Sequence, residues 1–411
     1  MDSSEPAPGA ARELTTRCCI VGGGPAGMML GYLLGRAGID TIVLEKHADF
    51  LRDFRGDTVH PSTMMVMDEL GLLAEFLRRP HQNIERMSGQ FGETMFRIAD
   101  LTRLKAPARY IAFMPQWEFL DFLADKSAAF SSLQILRSTE AIDLMQEGGR
   151  VRGVVARTAQ GELRIHADLT VGCDGRHSLV RERAGLLVED IGAPIDVLWF
   201  RLGKSGPGDP ALLHAAKGRM LVTIDRGDYW QCAYIIGKGQ IEALHARGLP
   251  AFRAAVVEMV PQLADHIDDV KGWNDVKLLT VTVDRLKKWS APGLLCIGDA
   301  AHAMSPVGGV GINLAIQDAV ATANILGEKL QRNAVTDADL DAVRERRLFP
   351  AKVIQAIQVQ VHKRVIGGAL KGALRPPLAI RLIDAIPPLQ RLAARLMTMG
   401  VRPEHVHSPK V

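Results

Sequence analysis

Apolar and polar positions follow two rhythms along this chain, one suited to strands and one to helices. Cys18–Val21 is a short apolar run rich in strand formers. It meets the glycine-rich stretch Gly22–Gly27. The next residues, Met28–Gly38, have helical periodicity and end on a glycine fit for a helix C-cap. A second strand is predicted over Thr41–Leu44. Strand, glycine turn, helix and strand within about thirty residues make the βαβ unit of a dinucleotide-binding fold. Beyond it, the pattern predicts a helix from Ser62 to Leu77, strand-forming character between Arg86 and Arg103, and a helix starting near Pro115. A hairpin turns near Gln160–Gly161 and runs into a strand ending at Gly172. Val188–Gly239 alternates strand-like runs with Gly, Pro and Asp turns, including a hairpin turning across Asp225–Asp228. Residues 277–289 read as one further strand. Residues 294–326 read as strand, Gly/Pro loop and helix. From Thr336 to the end the pattern is helical, broken at Pro376–Pro377 and Pro387–Pro388.

Composition narrows the classes. The 411 residues are 47% hydrophobic and 23% charged, as in ordinary globular proteins, with a net charge of +4. The basic residues are scattered, so no nucleic-acid footprint is expected. No apolar run is long enough for a membrane span, and the first 17 residues lack a signal-peptide core. Cys18, Cys19, Cys173, Cys232 and Cys296 are odd in number and without metal-ligand spacing. They are expected to be free thiols in a reducing cytoplasm, with no metal site.

Three motifs carry chemistry. Gly22, Gly24 and Gly27 form GxGxxG between a strand and a helix. The first glycine permits the turn, the second admits a pyrophosphate, and the third lets the helix pack close, with Ala26 in its first turn. Glu45, with Lys46 beside it, ends the next strand, where an acid accepts hydrogen bonds from an adenosine ribose. The second motif is GCDGRHSLVR, Gly172–Arg181, and the third is GDAAHAMSPVGGVGINLAIQDA, Gly298–Ala319. A buried Asp299 would need polyol hydroxyls to satisfy it. A helix starting near Gly311 would turn its positive end toward an anionic ligand edge. His302 reads as structural, because nothing nearby completes a nucleophile–His–acid relay.

These three motifs, in this order and each after a strand, resemble those of the class A FAD-dependent aromatic hydroxylases typified by para-hydroxybenzoate hydroxylase. The resemblance covers roughly residues 16 to 330. It implies that Gly22, Gly24, Ala26, Gly27, Glu45 and Lys46 hold the ADP part of FAD. It implies that Arg55 and Gln116 lie along the flavin and ribityl chain, and that Asp174 and Gly175 serve FAD and the pyridine nucleotide. Asp299 would bind ribityl hydroxyls, Pro306 would lie over the flavin ring, and Gly311, Ile312 and Asn313 would edge the pyrimidine. The implied reaction uses NADH or NADPH, O₂ and a flavin C4a-hydroperoxide to hydroxylate an aromatic or quinone-like small molecule.

The fold class implied is α/β, a Rossmann-like FAD-binding domain interleaved with a mixed β-sheet substrate domain, plus C-terminal helices. The expected boundaries are 12–80, 105–182 and 277–330 for the FAD-binding domain. Residues 81–104 and 183–276 form the substrate domain, and 331–411 form a C-terminal helical segment. Rivals are an FAD-linked reductase of the geranylgeranyl-reductase type and a non-catalytic ligand-binding flavoprotein. Candidate substrate contacts are Asp57, His60 and the hairpin Arg219–Tyr234. There Trp230, Cys232 and Tyr234 share one face and Tyr229 and Gln231 the other. Tyr234 could relay a proton or simply pack. Leu389, Leu392, Leu396 and Met399 form a helical stripe with Arg391 and Arg395 off it. Packing over the flavin domain is its default reading and a membrane-surface helix the sharper one. A homodimer is the base-rate expectation.

Overall fold

Five apolar runs pair in parallel to form the centre of an eight-stranded sheet: Leu294–Cys296, Gly161–Gly172, Arg12–Val21, Thr41–Leu44 and Leu133–Leu136. Strands covered on both faces lose the polar alternation, and Cys18–Val21 and Thr41–Leu44 are buried throughout. The hairpin Glu140–Glu147 and Arg150–Thr158 extends from the Gly161–Gly172 strand. The computed structural model describes residues 12–51, 58–206, 212–373 and 375–411. Arg55 and Asp57 lie outside the described residues.

Register positions the chemistry. Val21 lies opposite both Leu44 and Gly172, and Gly172 lies opposite Cys296. Four parallel strands therefore end in line, and the residues after them share one crevice at their carboxyl ends. The helix Pro25–Arg36 and the long helix Gly311–Gln331 pack together against this sheet.

A second sheet of seven strands runs in the order Lys277–Leu279, Ile195–Gly203, Tyr229–Gly237, Arg219–Asp225, Leu213–Ala216, Arg86–Phe91 and Thr94–Asp100. One face carries Leu198, Cys232 and Tyr234 and is sealed by the helix Leu249–Met259. The other face carries Val197, Trp199, Val222 and Ile235 and meets Val307 and Ile366. Lys277–Leu279 pairs with Ile195–Gly203, so this sheet reaches past residue 276.

Several expectations need correction. The helix expected over 62–77 is two, Pro61–Glu69 and Leu73–Phe76, because Gly71 between them has φ +72°. Residues 277–289 are two short strands in different sheets, Lys277–Leu279 and Asp284–Leu286. The helical pattern from Thr336 does not reach the end of the sequence. Asp337–Gln360, the π-helical turn Val361–Ile366, Leu378–Ala385 and Pro387–Thr398 are helical, and residues 401–411 are not. The Leu389–Met399 stripe does not pack over the eight-stranded sheet. The helix Pro387–Thr398 buries Gln390, Ala394 and Thr398 and lies on the strand Thr94–Asp100 of the second sheet. Leu392 is 52% exposed. Among the described residues no helix is long and apolar enough to cross a membrane.

Candidate FAD and substrate site

The crevice begins at the first glycine turn. Gly22 has φ +108°, and a Cβ on Gly27 would sit 2.0 Å from the Gly22 carbonyl oxygen. Turn and helix could not approach this closely with any side chain at Gly27. Beside Gly24, by contrast, no atom lies within 4 Å of a would-be Cβ. The helix opens with Pro25 and no side chain caps its first turn. Open space before a bare helix N-terminus fits a pyrophosphate.

Glu45 is buried and already anchors the turn. Its Oε2 accepts from the Gly23 N–H at 3.2 Å and its Oε1 from the His47 N–H at 2.9 Å. Each carboxylate oxygen has further lone-pair capacity, which suits ribose hydroxyls. Lys46 is exposed beside it. Across the crevice, Asp174 Oδ2 accepts from the Val180 N–H at 3.1 Å, while its buried Oδ1 has no partner. Burial pushes the Asp174 carboxyl above the ordinary range. An orphaned carboxylate oxygen beside the glycine turn is the kind of atom a bound cofactor satisfies. Gly175 follows with φ +85°.

Asp299 sits in a 3₁₀ turn, Gly298–Ala300, just past the strand Leu294–Cys296. Its side chain is 35% exposed, with Arg176 Nη2 at 3.9 Å. The burial expected of it is not observed; a carboxylate open to the crevice needs no buried partner. Gln116 begins the helix Gln116–Ser127 and is half-buried.

The loop expected over the flavin runs from Ser305 through Pro306 to Gly309. Gly309 has φ +61°, and a Cβ there would meet Thr58 Oγ1 at 2.2 Å. The helix starting at Gly311 has no side-chain cap, so with Ile312 it offers bare amides to the crevice. Asn313 does something the motif did not reveal. Its Oδ1 accepts from His60 N–H at 2.9 Å and Thr63 Oγ1 at 2.7 Å. Its Nδ2 donates to Thr58 O at 3.2 Å and Gly309 O at 3.1 Å. All four hydrogen-bonding positions are filled, so its side chain staples the Thr58–Thr63 segment to the loop.

His60 is fully buried, and burial lowers its pKa to about 4. Its ring is neutral, and Nδ1, 3.2 Å from the Met397 carbonyl, must carry the proton because a carbonyl only accepts. Nε2 keeps a bare lone pair without a partner. Tyr234 lies on the sealed face of the second sheet, edge-on to Phe252 at 5.4 Å between ring centroids. Burial raises its pKa. It packs away from the loop, as do Trp230 and Cys232. The face toward the loop carries Trp199 and Val222, and Gln231 holds Arg226 Nε at 2.9 Å.

Behind the crevice lies a buried ionic network. Asp318 accepts from Gly298 N–H at 3.0 Å, and its partners are His302 Nε2 at 2.6 Å and Arg347 Nε at 2.9 Å. Burial by itself would raise Asp318 and lower His302; their mutual charge, with Arg347 beside Asp318, outweighs it and shifts both the other way. Arg347 Nη1 also reaches Glu404 at 3.2 Å. Asp318 was inside the third motif, but only the fold brings Arg347 and Glu404 to it. Among the described residues no cluster could hold a metal ion.

Comparison with known proteins agrees with this geometry. The FAD binding domain family matches residues 15–357. The 6-methylpretetramide 4-monooxygenase of Streptomyces rimosus is 33% identical over 405 residues, covering 97% of this chain and 96% of that protein. Rifampicin monooxygenase of Streptomyces venezuelae is 28% identical over 319 residues, 73% of this chain and 61% of its own length. The solved p-nitrophenol 4-monooxygenase PnpA of Pseudomonas putida DLL-E4 shares the fold. Its TM-score is 0.75 at 18% identity, with 95% of this chain and 99% of that one covered. On the family match and the end-to-end relative together, the chain belongs to the FAD-dependent aromatic hydroxylases, monooxygenases that work with FAD and NAD(P)H.

Proposed function

We propose that this enzyme hydroxylates a fused multi-ring phenolic substrate of the aromatic polyketide type, using NADH or NADPH and O₂. The observation that carries this reading is the 33% identity, over nearly the full length of both chains, to an enzyme named for its action on 6-methylpretetramide. Bound FAD supplies the two-electron chemistry between nicotinamide and oxygen. In this reading Gly22, Gly24, Ala26, Gly27, Glu45 and Lys46 hold the ADP portion, Arg55 serves the flavin side, Gln116 and Asp299 the ribityl chain, and Asp174 and Gly175 serve FAD and the pyridine nucleotide. Pro306, Gly311, Ile312 and Asn313 bound the flavin ring, Asn313 by fixing the loop. The expected division of the chain into FAD-binding, substrate and C-terminal segments goes with it, the second sheet forming the substrate unit and carrying Lys277–Leu279 into that unit. Its loop-facing side, with Trp199, Val222 and Ile224 near Phe113 and Met397, supplies an apolar wall for a flat ring system. His60 stands near the loop as a proton-handling group, Asp57 is kept as a second candidate for that role, and Tyr234 has a packing role. A cytoplasmic setting suits five free cysteines, four of them buried.

The test is anaerobic reduction of the flavin by NADH and by NADPH, with and without tetracyclic phenols, naphthoquinones and monocyclic phenols. Strong acceleration by a tetracyclic phenol, followed by its hydroxylation in air, is the expected result. Acceleration only by monocyclic phenols would overturn the multi-ring assignment. A flavin reduced by neither nucleotide under any condition would overturn the whole cycle.

A further inference from the structure

The helix Asp337–Gln360 and the turn after it meet the flavin-facing loop through buried Gln358 and His362, both of which bond Ser305. Gln358 Oε1 accepts from the Ser305 N–H at 3.1 Å, and Gln358 Nε2 donates to Ser305 O at 2.9 Å and Val307 O at 3.0 Å. Ser305 Oγ accepts from the Val307 N–H at 3.2 Å and lies 2.7 Å from His362 Nε2. Ser305 Oγ keeps a second lone pair and its hydroxyl hydrogen, so its bond to Nε2 can run in either direction. His362 is fully buried and burial lowers its pKa, so its ring is neutral, and its Nδ1 has no partner. Ser305 and Gln358 are also buried.

The backbone at this point is unusual. The helix Asp337–Gln360 runs directly into the π-helical turn Val361–Ile366, and His362 is its second residue. π-Helical turns widen a helix locally and recur at functional sites. The same turn packs Val361, Val365 and Ile366 on the loop-facing side of the substrate sheet, with Val197, Met220, Ile235 and Val307. One turn therefore touches both walls between which the substrate ring would lie.

We propose that Gln358 and His362 are positioning residues for hydroxylation, and that the π-helical turn sets the spacing between the flavin-facing loop 305–309 and the substrate sheet. They touch neither substrate nor cofactor. They act through Ser305 and Val307. The inference rests on the proposed function, because it takes this loop to lie over the flavin.

The holoenzyme is tested with Gln358→Leu, His362→Leu, His362→Gln and Ser305→Ala. Two readouts are taken: deuterium exchange of the peptide spanning the loop, and H₂O₂ formed per NAD(P)H consumed with substrate present. In uncoupled turnover NAD(P)H, O₂ and a proton give NAD(P)⁺ and H₂O₂, so the two counts close. Gln358→Leu and His362→Leu are expected to retain FAD and substrate-stimulated flavin reduction. Loop exchange speeds up, product formation falls by about 10- to 100-fold, as for ångström-scale misplacement, and H₂O₂ makes up the difference. His362→Gln keeps an amide near Nε2 that can donate or accept, and restores coupling. Ser305→Ala, which removes one hydroxyl and leaves the fold intact, gives an intermediate loss. Wild-type loop exchange and coupling in Ser305→Ala and both leucine variants would overturn the proposal. If a leucine variant fails to fold, Ser305→Ala and His362→Gln decide by the same readouts. A wild-type enzyme without substrate-stimulated NAD(P)H oxidation counts against the proposed function. The exchange arm still reads the clamp in that case.

Discussion

His60 shows how a single side chain can be placed by sequence and understood only in the fold. It follows Thr58 and Val59 and reads from the sequence only as a candidate substrate contact, and its proton position depends on Met397, which no spacing rule connects to it. The unfolded ring titrates near pH 6.5, while burial holds the folded ring down at about 4. The unfolded chain therefore binds the extra proton between these values. This stability is present above about pH 6.5 and is lost as pH falls toward 4, at about 1.4 kcal/mol per pH unit. Urea titrations between pH 4 and 7.5 should show this slope, and His60→Gln should flatten it. Asp318 makes the opposite kind of demand. Asp318→Asn leaves buried His302 without its counter-charge and Arg347 with Glu404 alone, so a loss of about 3–5 kcal/mol is expected in denaturant melts. At the glycine turn, Gly27→Ala forces a methyl into the Gly22 carbonyl. FAD titration should show cofactor affinity collapse, and an unchanged affinity would contradict the close approach seen here.

At the scale of elements, hydrophobic periodicity was a good guide wherever one face of an element meets one neighbour. The hairpin at Gln160–Gly161 and the strand ends at Val21, Leu44 and Gly172 were legible for that reason. The helix Pro387–Thr398 was not. Its apolar stripe reads as the packed side, but small and polar Gln390, Ala394 and Thr398 let it lie close on the edge strand, Leu392 turns outward, and Leu389 and Leu396 are only half-buried. Two substitutions separate these readings. Leu392→Ser should change stability by less than about 0.5 kcal/mol, as at ordinary surface positions, whereas Ala394→Leu should cost about 1–3 kcal/mol by overpacking. The face assignment in the hairpin Arg219–Tyr234 was correct in period but silent on which face met the loop. That choice is made by the helix Leu249–Met259, which seals Tyr234 away. Tyr234→Phe should leave turnover and its pH profile unaltered; a shifted profile would return Tyr234 to the chemistry.

For the molecule as a whole, the three motifs were readable because each sits at the carboxyl end of a parallel strand, where register alone brings them together. The devices that hold them were not readable, because their partners come from far along the chain. Asn313 reaches Thr58, Asp318 reaches Arg347, and Ser305 reaches Gln358 and His362. Sequence patterns report periodicity within an element and say little about ties between elements that share no period.

The last of these long ties closes on the first helix. Arg36 Nη2 donates to Ser408 O at 3.2 Å across 372 positions, and the Val411 N–H donates to Arg36 O at 3.1 Å. On a ribosome adding roughly 5–20 residues per second, the glycine turn and its helix wait some 20–70 s for these partners to be made. The nucleotide crevice fills in chain order: strands 12–21 and 41–44 first, the central strand 161–172 next, and the stapled loop and rear ionic network only once residues 305–404 have been made. Cofactor capture is therefore a late event in the life of the nascent chain. A pulse-chase with flavin-depleted extract should find FAD entering finished chains and not ribosome-bound ones.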